Sequence, residues 1–175
     1  MKSAKKILAL ILAGVMALAL LTGCGKAASL NRTIAEGLAE YTKSTLAQLG
    51  GNDNNISVSY QVPELRRDIA PLFDETWITK DNSSGKDALT EAAKETLTDI
   101  LSSYMSDSYV TFRATDVTDV KTPSMEVLNL AYSDIAFLPT DSSDFDPDSI
   151  TSMKIEVTHK TVNGRTYALA VIIGK

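Results

Sequence analysis

Few residues in this chain have types and spacings that could do chemistry. Asp144, Asp146 and Asp148 alternate as D-x-D-x-D, the spacing at which a loop can offer carboxylates to a calcium ion. A helix–loop–helix calcium loop also needs glycine at its sixth position and a bidentate glutamate at its twelfth. Here those positions hold Ser149 and Ile155, and Pro147 separates two of the would-be ligands. The stretch therefore reads as a solvated acidic loop and predicts no metal site. In Ser83-Ser84-Gly85-Lys86 a serine precedes a lysine by three residues, a spacing at which an amine could activate a hydroxyl. It lies in a polar, glycine-containing loop and lacks the S-D-N and K-T-G elements that accompany such a nucleophile. His159 is the only histidine, so any hydroxyl- or thiol-based triad would have to use it. Its place in a strand pattern beside Val157 reads as packing. Zinc sites built from several histidines and cysteines are excluded, and Arg66-Arg67 reads as an exposed pair. No residue is assigned as catalytic, and none as a cofactor ligand.

Cys24 is different. It is the only cysteine, so it cannot form an intramolecular disulfide, and a lone cysteine in an exported chain asks for an explanation. Before it come Lys2, Lys5 and Lys6 and then an unbroken run of apolar residues and glycine, ILALILAGVMALALL. A basic head and an apolar run of that length have the layout of a secretory leader. The run is shorter than the ~20 residues that a bilayer span requires. The tetrapeptide Leu21-Thr22-Gly23-Cys24 resembles the lipobox of bacterial lipoproteins. The resemblance implies a diacylglyceryl group on the Cys24 sulfur, cleavage just before it, and a protein held at the outer side of a bacterial membrane by its lipid. Small residues at Thr22 and Gly23 let an enzyme close around the backbone, and the thiolate is the nucleophile that takes the lipid. Two acyl chains on one glyceryl group anchor stably where a single chain does not.

Charge narrows the partners further. The whole chain has 17 Lys and Arg against 22 Asp and Glu. Loss of Lys2, Lys5 and Lys6 with the leader leaves 14 against 22, a net charge of −8. Nucleic acid, which needs basic patches, is argued against, and so is a domain lying flat on anionic lipid. Without cystine the fold must rest on an apolar core.

The elements that would position these residues follow from periodicity. Residues 1–23 are the leader, 24–29 a short lipidated tether and 30–175 one domain. Leu30, Ile34, Leu38, Tyr41 and Leu49 predict a helix over 30–49, with Ser29 or Asn31 able to cap it. Residues 56–62 alternate as a half-buried strand. Residues 64–79 predict two short helical pieces broken near Ala70-Pro71. The stripe Leu89, Ala93, Leu97, Ile100, Leu101 and Tyr104 predicts a helix over 87–105. Residues 109–120 form a strand with a bend near Thr115-Asp116, residues 125–134 suit helix or strand, and 150–174 form a hairpin around Asn163-Gly164.

The hairpin register follows from the apolar rows. A two-residue turn would put Tyr167, Leu169, Val171 and Ile173 on one face with Lys160, Thr158, Glu156 and Lys154. A three-residue loop, Val162-Asn163-Gly164, would instead pair Thr161 with Arg165 and set His159 beside Tyr167. A one-residue slip exchanges the faces of a strand, so a sheet with one covered face predicts the three-residue loop.

The expected fold is thus α+β: an antiparallel sheet ending in a C-terminal hairpin, with helices 30–49 and 87–105 on one face. Sparse catalytic groups and an acidic surface favour a binding or interaction module, or an accessory subunit of an envelope complex. A hydrolase using two carboxylates ~5–9.5 Å apart, or a spacer lipoprotein without a concave pocket, are the alternatives.

Overall fold

In the computed structural model the described residues are 27–51, 55–80, 87–106, 108–133, 136–138 and 146–175. They form an α+β domain around a five-stranded sheet of order β1-β6-β7-β4-β5. The strands are β1 (Ser57–Ser59), β4 (Tyr109–Asp116), β5 (Ala136–Leu138), β6 (Ser152–Val162) and β7 (Arg165–Gly174). β1 runs parallel to β6, and every other pairing in this sheet is antiparallel. A separate two-stranded ribbon pairs β2 (Ile78–Lys80) with β3 (Asp87–Leu89).

Among the described residues three α-helices join them. α1 (Ala27–Gln48) buries Ile34 and Leu38 of the predicted stripe, and Leu46 besides, whereas Leu49 lies past its end and is exposed. The helix starts inside the stretch read as tether, so neither Ser29 nor Asn31 caps it. α2 (Glu91–Leu101) is shorter than the predicted 87–105. Thr90 is extended and its hydroxyl accepts the Ala93 N–H. That cap fixes the helix start and frees 87–89 for the ribbon. α3 (Pro123–Tyr132) resolves the ambiguous segment as helix: Thr122 caps it by accepting the Met125 N–H, and Pro123 sits in its first turn, where a missing N–H costs nothing. Between β1 and β2 lie the expected short pieces. Leu65–Ile69 is a π-helical turn, closed by an Ala70 N–H to Leu65 carbonyl bond, and Glu75–Trp77 is a 3₁₀ turn. Pro71 follows the first and cannot continue it.

The helices cover both faces of the sheet, which corrects the one-faced expectation. α1 and α3 pack with Met153, Ile155 and Val157 of β6 and Ala168, Ala170 and Ile172 of β7. On the opposite face α2 and the π-turn pack with Val110, Phe112 and Ala114 of β4 and Tyr167, Leu169, Val171 and Ile173 of β7. There the rings of Trp77, Phe73 and Tyr167 adjoin in sequence, with centroids 5.8 and 5.2 Å apart.

Two-faced burial also overturns the hairpin register. Val162 pairs with Arg165 and Val157 with Ala170, so the loop has two residues. Asn163 and Gly164 both have positive φ, 49° and 79°, as a type I′ turn requires. The predicted conflict of faces does not arise, because β7 is an inner strand and both its rows are apolar contacts. The polar row of β6 lies at the margin of the second layer and finds partners there. Buried Glu156 accepts the Val62 N–H at 2.6 Å and the Arg66 Nε–H at 2.7 Å. Lys154 extends over the Tyr104 ring at 5.5 Å. The other predicted strand, 56–62, keeps its alternation of burial but pairs only over β1. Beyond it the Val62 N–H is taken by a side chain instead of a neighbouring strand.

At the end of β4 the predicted bend is an Asp116 turn. The Asp116 Oδ1 accepts both the N–H and the hydroxyl of Thr118, at 2.9 and 2.6 Å, and Arg165 Nε lies 3.3 Å from Oδ2.

Two outcomes are expected. Gly164→Ala forces a Cβ into the left-handed region and should lower unfolding free energy by about 1–2 kcal/mol in denaturant titration. For Asp116, partial burial raises the carboxyl pKa, but the Thr118 hydrogen bonds and the Arg165 charge outweigh it and hold the group below its ordinary value. A folded-state pKa below the unfolded one stabilises above the unfolded value and loses that stability as pH falls through the folded value. Asp116→Asn should therefore flatten the acid limb of the stability–pH curve below about pH 4, with no matching change in slope at neutral pH.

Candidate functional site

The covered face of the sheet is not filled everywhere. Between the last turns of α1 and the far end of the sheet lies a pocket of ≈ 140 Å³. Tyr41, Thr42, Thr45 and Leu46 line it from α1, Thr111 and Arg113 from β4, and Met153 and Ile172 from β6 and β7. Leu49, 60% exposed, stands at its rim.

Strand geometry explains Arg113. Successive side chains of β4 alternate, so Val110, Phe112 and Ala114 face α2 while Thr111 and Arg113 face α1 and α3. Arg113 is 5% exposed. Its Nη1 donates to the carbonyls of Leu130 and Ala131, at 2.8 and 2.7 Å. These belong to the last turn of α3, where carbonyls lack helical partners and a cation is favourable. Burial pushes the guanidinium pKa down, opposed by Tyr41. No carboxylate pairs with Arg113 among the described residues, and its Nε–H has no partner there. The hydroxyls of Thr42 and Thr111 are likewise buried and without a hydrogen bond. All three side chains line the same pocket. Buried polar atoms are satisfied in the great majority of cases, and these three are closed off behind the wall of an otherwise apolar recess.

A second, wider recess lies at the other end of α1, lined by Leu30, Asn31, Val117, Thr118, Val120, Glu126, His159 and Thr166. At its centre His159 Nε2 lies 2.8 Å from Glu126 Oε2, and Nδ1 2.8 Å from Asn31 Oδ1. Either the ring donates from both nitrogens, or the Asn31 amide presents its NH₂ to Nδ1 and the neutral ring donates from Nε2 alone. A carboxylate beside an imidazole orients it as in a triad, but no nucleophile stands beside this pair among the described residues. The Thr118 hydroxyl donates to Asp116 and accepts the Thr166 N–H. The constellation ties α1, α3 and β6 together. His159 faces Ala168 across the hairpin, on the sheet face opposite Tyr167, which corrects the expectation that the two rings pack side by side.

The other residues singled out from the sequence do not assemble. Cys24, residues 83–86 and Asp144 lie outside the described residues. Asp146 caps the 3₁₀ turn Pro147–Ser149 by accepting the Asp148 N–H. No group of His, Cys, Asp and Glu among the described residues is placed to hold a metal. Arg66 bonds Glu156, and Arg67 bonds Asp68 at 2.6 Å. Neither recess brings two carboxylates together among the described residues. Arg113 and Glu126 were missed in the sequence because each has a bland local reading, the polar face of a strand and the first turn of a helix. Only the packing of α1 and α3 on one side of the sheet buries them.

Comparison with protein-family models, with curated proteins and with solved structures finds no match.

The His159 tie is measurable by a double-mutant cycle. Glu126→Ala and His159→Ala should each destabilise, and their coupling energy should fall at about 1–3 kcal/mol, as for neighbours sharing a buried hydrogen bond. Additive effects would remove the tie.

Proposed function

We propose that this chain is a lipid-anchored bacterial lipoprotein, facing outside the cytoplasm, whose domain is a binding module with the Arg113 pocket as its ligand site. The observation that carries the binding assignment is the apolar recess itself, ≈ 140 Å³ and walled by Leu46, Leu49, Ile150, Met153 and Ile172. A spacer domain has no use for an apolar recess. A carboxylate hydrolase would gather acids, and the acid that is buried beside a recess, Glu126, is bound to His159. The anchor assignment rests on the basic leader and the Leu21-Thr22-Gly23-Cys24 tetrapeptide. Accessory binding within an envelope complex fits the same reading.

Two experiments test it. Mass spectrometry of the protein from bacterial membranes should find a mature N-terminus at Cys24 carrying diacylglycerol. Cys24→Ala should abolish the lipid and release the protein from the membrane fraction or leave it unprocessed. An unmodified N-terminus beyond Cys24 refutes the anchor. For the pocket, Thr45 is an exposed rim residue, so Thr45→Trp closes the mouth without entering the core. Small molecules that raise the melting temperature of the wild type should lose that effect in the variant. Ligands indifferent to it bind elsewhere.

A further inference from the structure

Resting on the reading of Cys24 as the lipidated residue, we propose that the domain stands end-on at the bilayer. The end concerned is formed by the start of α1, the turn 117–120 and the first turn of α3, and it places Met125 and Lys121 in the headgroup layer. Chain length carries the orientation. Cys24 precedes Ala27, the first residue of α1, by three positions, and three residues reach at most ~11 Å. The lipid therefore holds that end of α1 beside the membrane. From there α1 leads away: its 22 residues, rising ~1.5 Å each, span ~33 Å.

Contacts show what shares that end. Leu30 and Asn31 border one recess with Val117, Val120, Glu126 and His159. Far along α1, Tyr41 meets Tyr132, the last residue of α3, with ring centroids 6.5 Å apart. The two helices thus run in the same direction, and both start at this end. The turn 117–120 is fixed beside them. The Val120 N–H donates to the Val117 carbonyl at 3.0 Å, and the Val117 N–H donates to the Thr166 carbonyl at 2.8 Å.

The groups presented there suit a headgroup layer. Met125, in the first turn of α3, is 50% exposed. Side chains on a helix lean toward its N-terminus, here toward the membrane. Lys121 is exposed just ahead of the Thr122 cap, and a lysine can lay its stem on apolar surface while its ammonium stays among polar heads. Of the carboxylates nearest this end, Glu126 is buried against His159 and Asp116 lies beside Arg165, while Asp119 stays exposed near Lys121. The opposite end of α1 is less suited. Gly51 lies against Pro147 there, between the exposed Asp146 and Asp148, which anionic phosphates would repel. Standing on the first end turns Leu49 and the recess behind it outward, away from the bilayer.

The test uses the full-length lipidated chain. Cys24 is the only cysteine and its sulfur is capped by lipid. Lys121→Cys, Met125→Cys and Leu49→Cys, all at exposed positions, therefore each supply one free thiol for a fluorophore. Mass spectrometry first establishes the lipid on every variant. In vesicles of phosphatidylethanolamine and phosphatidylglycerol, lipids with a nitroxide on the headgroup should quench the labels at 121 and 125 several-fold more than the label at 49. Equal quenching at all three, or stronger quenching at 49, on the lipidated protein overturns the orientation and leaves the anchor standing. Absence of lipid on Cys24 overturns the anchor and this proposal with it. Met125→Glu puts an acid in the first turn of a helix, where it is favourable, so the fold is kept while the contact is opposed. Combined with Lys121→Cys it should lower the quenching at 121 several-fold. Unchanged quenching there overturns the Met125 contact.

Discussion

The structure depends on one strand being buried on both faces. From Tyr167 to Gly174 every residue of β7 is buried, because β6 and β4 flank it and helices lie above and below. A strand in that position cannot follow the alternation of apolar and polar residues that marks a one-sided sheet. Its small residues, Ala168 and Ala170, face α1 and α3, and its large ones, Leu169 and Val171, face α2 and the π-turn. The choice of size on each side sets the depth of each layer. Alanines let α1 approach closely over the middle of the sheet, and the recess opens farther along, where Ile172 and Gly174 meet Leu46 and Tyr41.

The two recesses at the ends of α1 show two answers to the same problem. Where Glu126 is buried, His159 and Asn31 are brought to its side, and the polar groups of one helix, one strand and another helix satisfy each other. Where Arg113 is buried, it secures the end of α3 with one nitrogen and keeps another unengaged. The first arrangement spends its polarity on holding the elements together. The second retains donors in a low-dielectric setting, where each unmet group is expensive. The two ends of α1 therefore differ in kind: at one the buried polar groups satisfy each other, at the other some stay unmet among the described residues.

Much of this fold was legible in the sequence. The stripes of α1 and α2, the break at Pro71, the bend at Asp116 and the Asn163-Gly164 turn all have local causes: periodicity, a missing N–H, an aspartate that folds back on Thr118, a dipeptide that tolerates positive φ. The register of the hairpin was misread for a tertiary reason. Glu156 looked like a residue that must face water, and its actual surroundings, the Val62 N–H and Arg66, come from a segment 94 residues away in the case of Val62. Arg113 was invisible for the same reason. Nothing near it in sequence distinguishes a buried arginine from an exposed one, since the groups that bury it belong to α1 and α3.

The pairing of distant segments has a consequence for the chain's history. α1 packs on β6 and β7, and β1 pairs with β6 from Ser57↔Ser152 onward. α1 can pack on α3 earlier, but β1 has no strand to pair with and α1 no sheet to cover until the last strands have been made. Contacts so far apart in sequence close late, and a chain leaving the ribosome N-terminus first would remain without its core through most of its synthesis. The domain gains its full packing only once the C-terminal hairpin has followed.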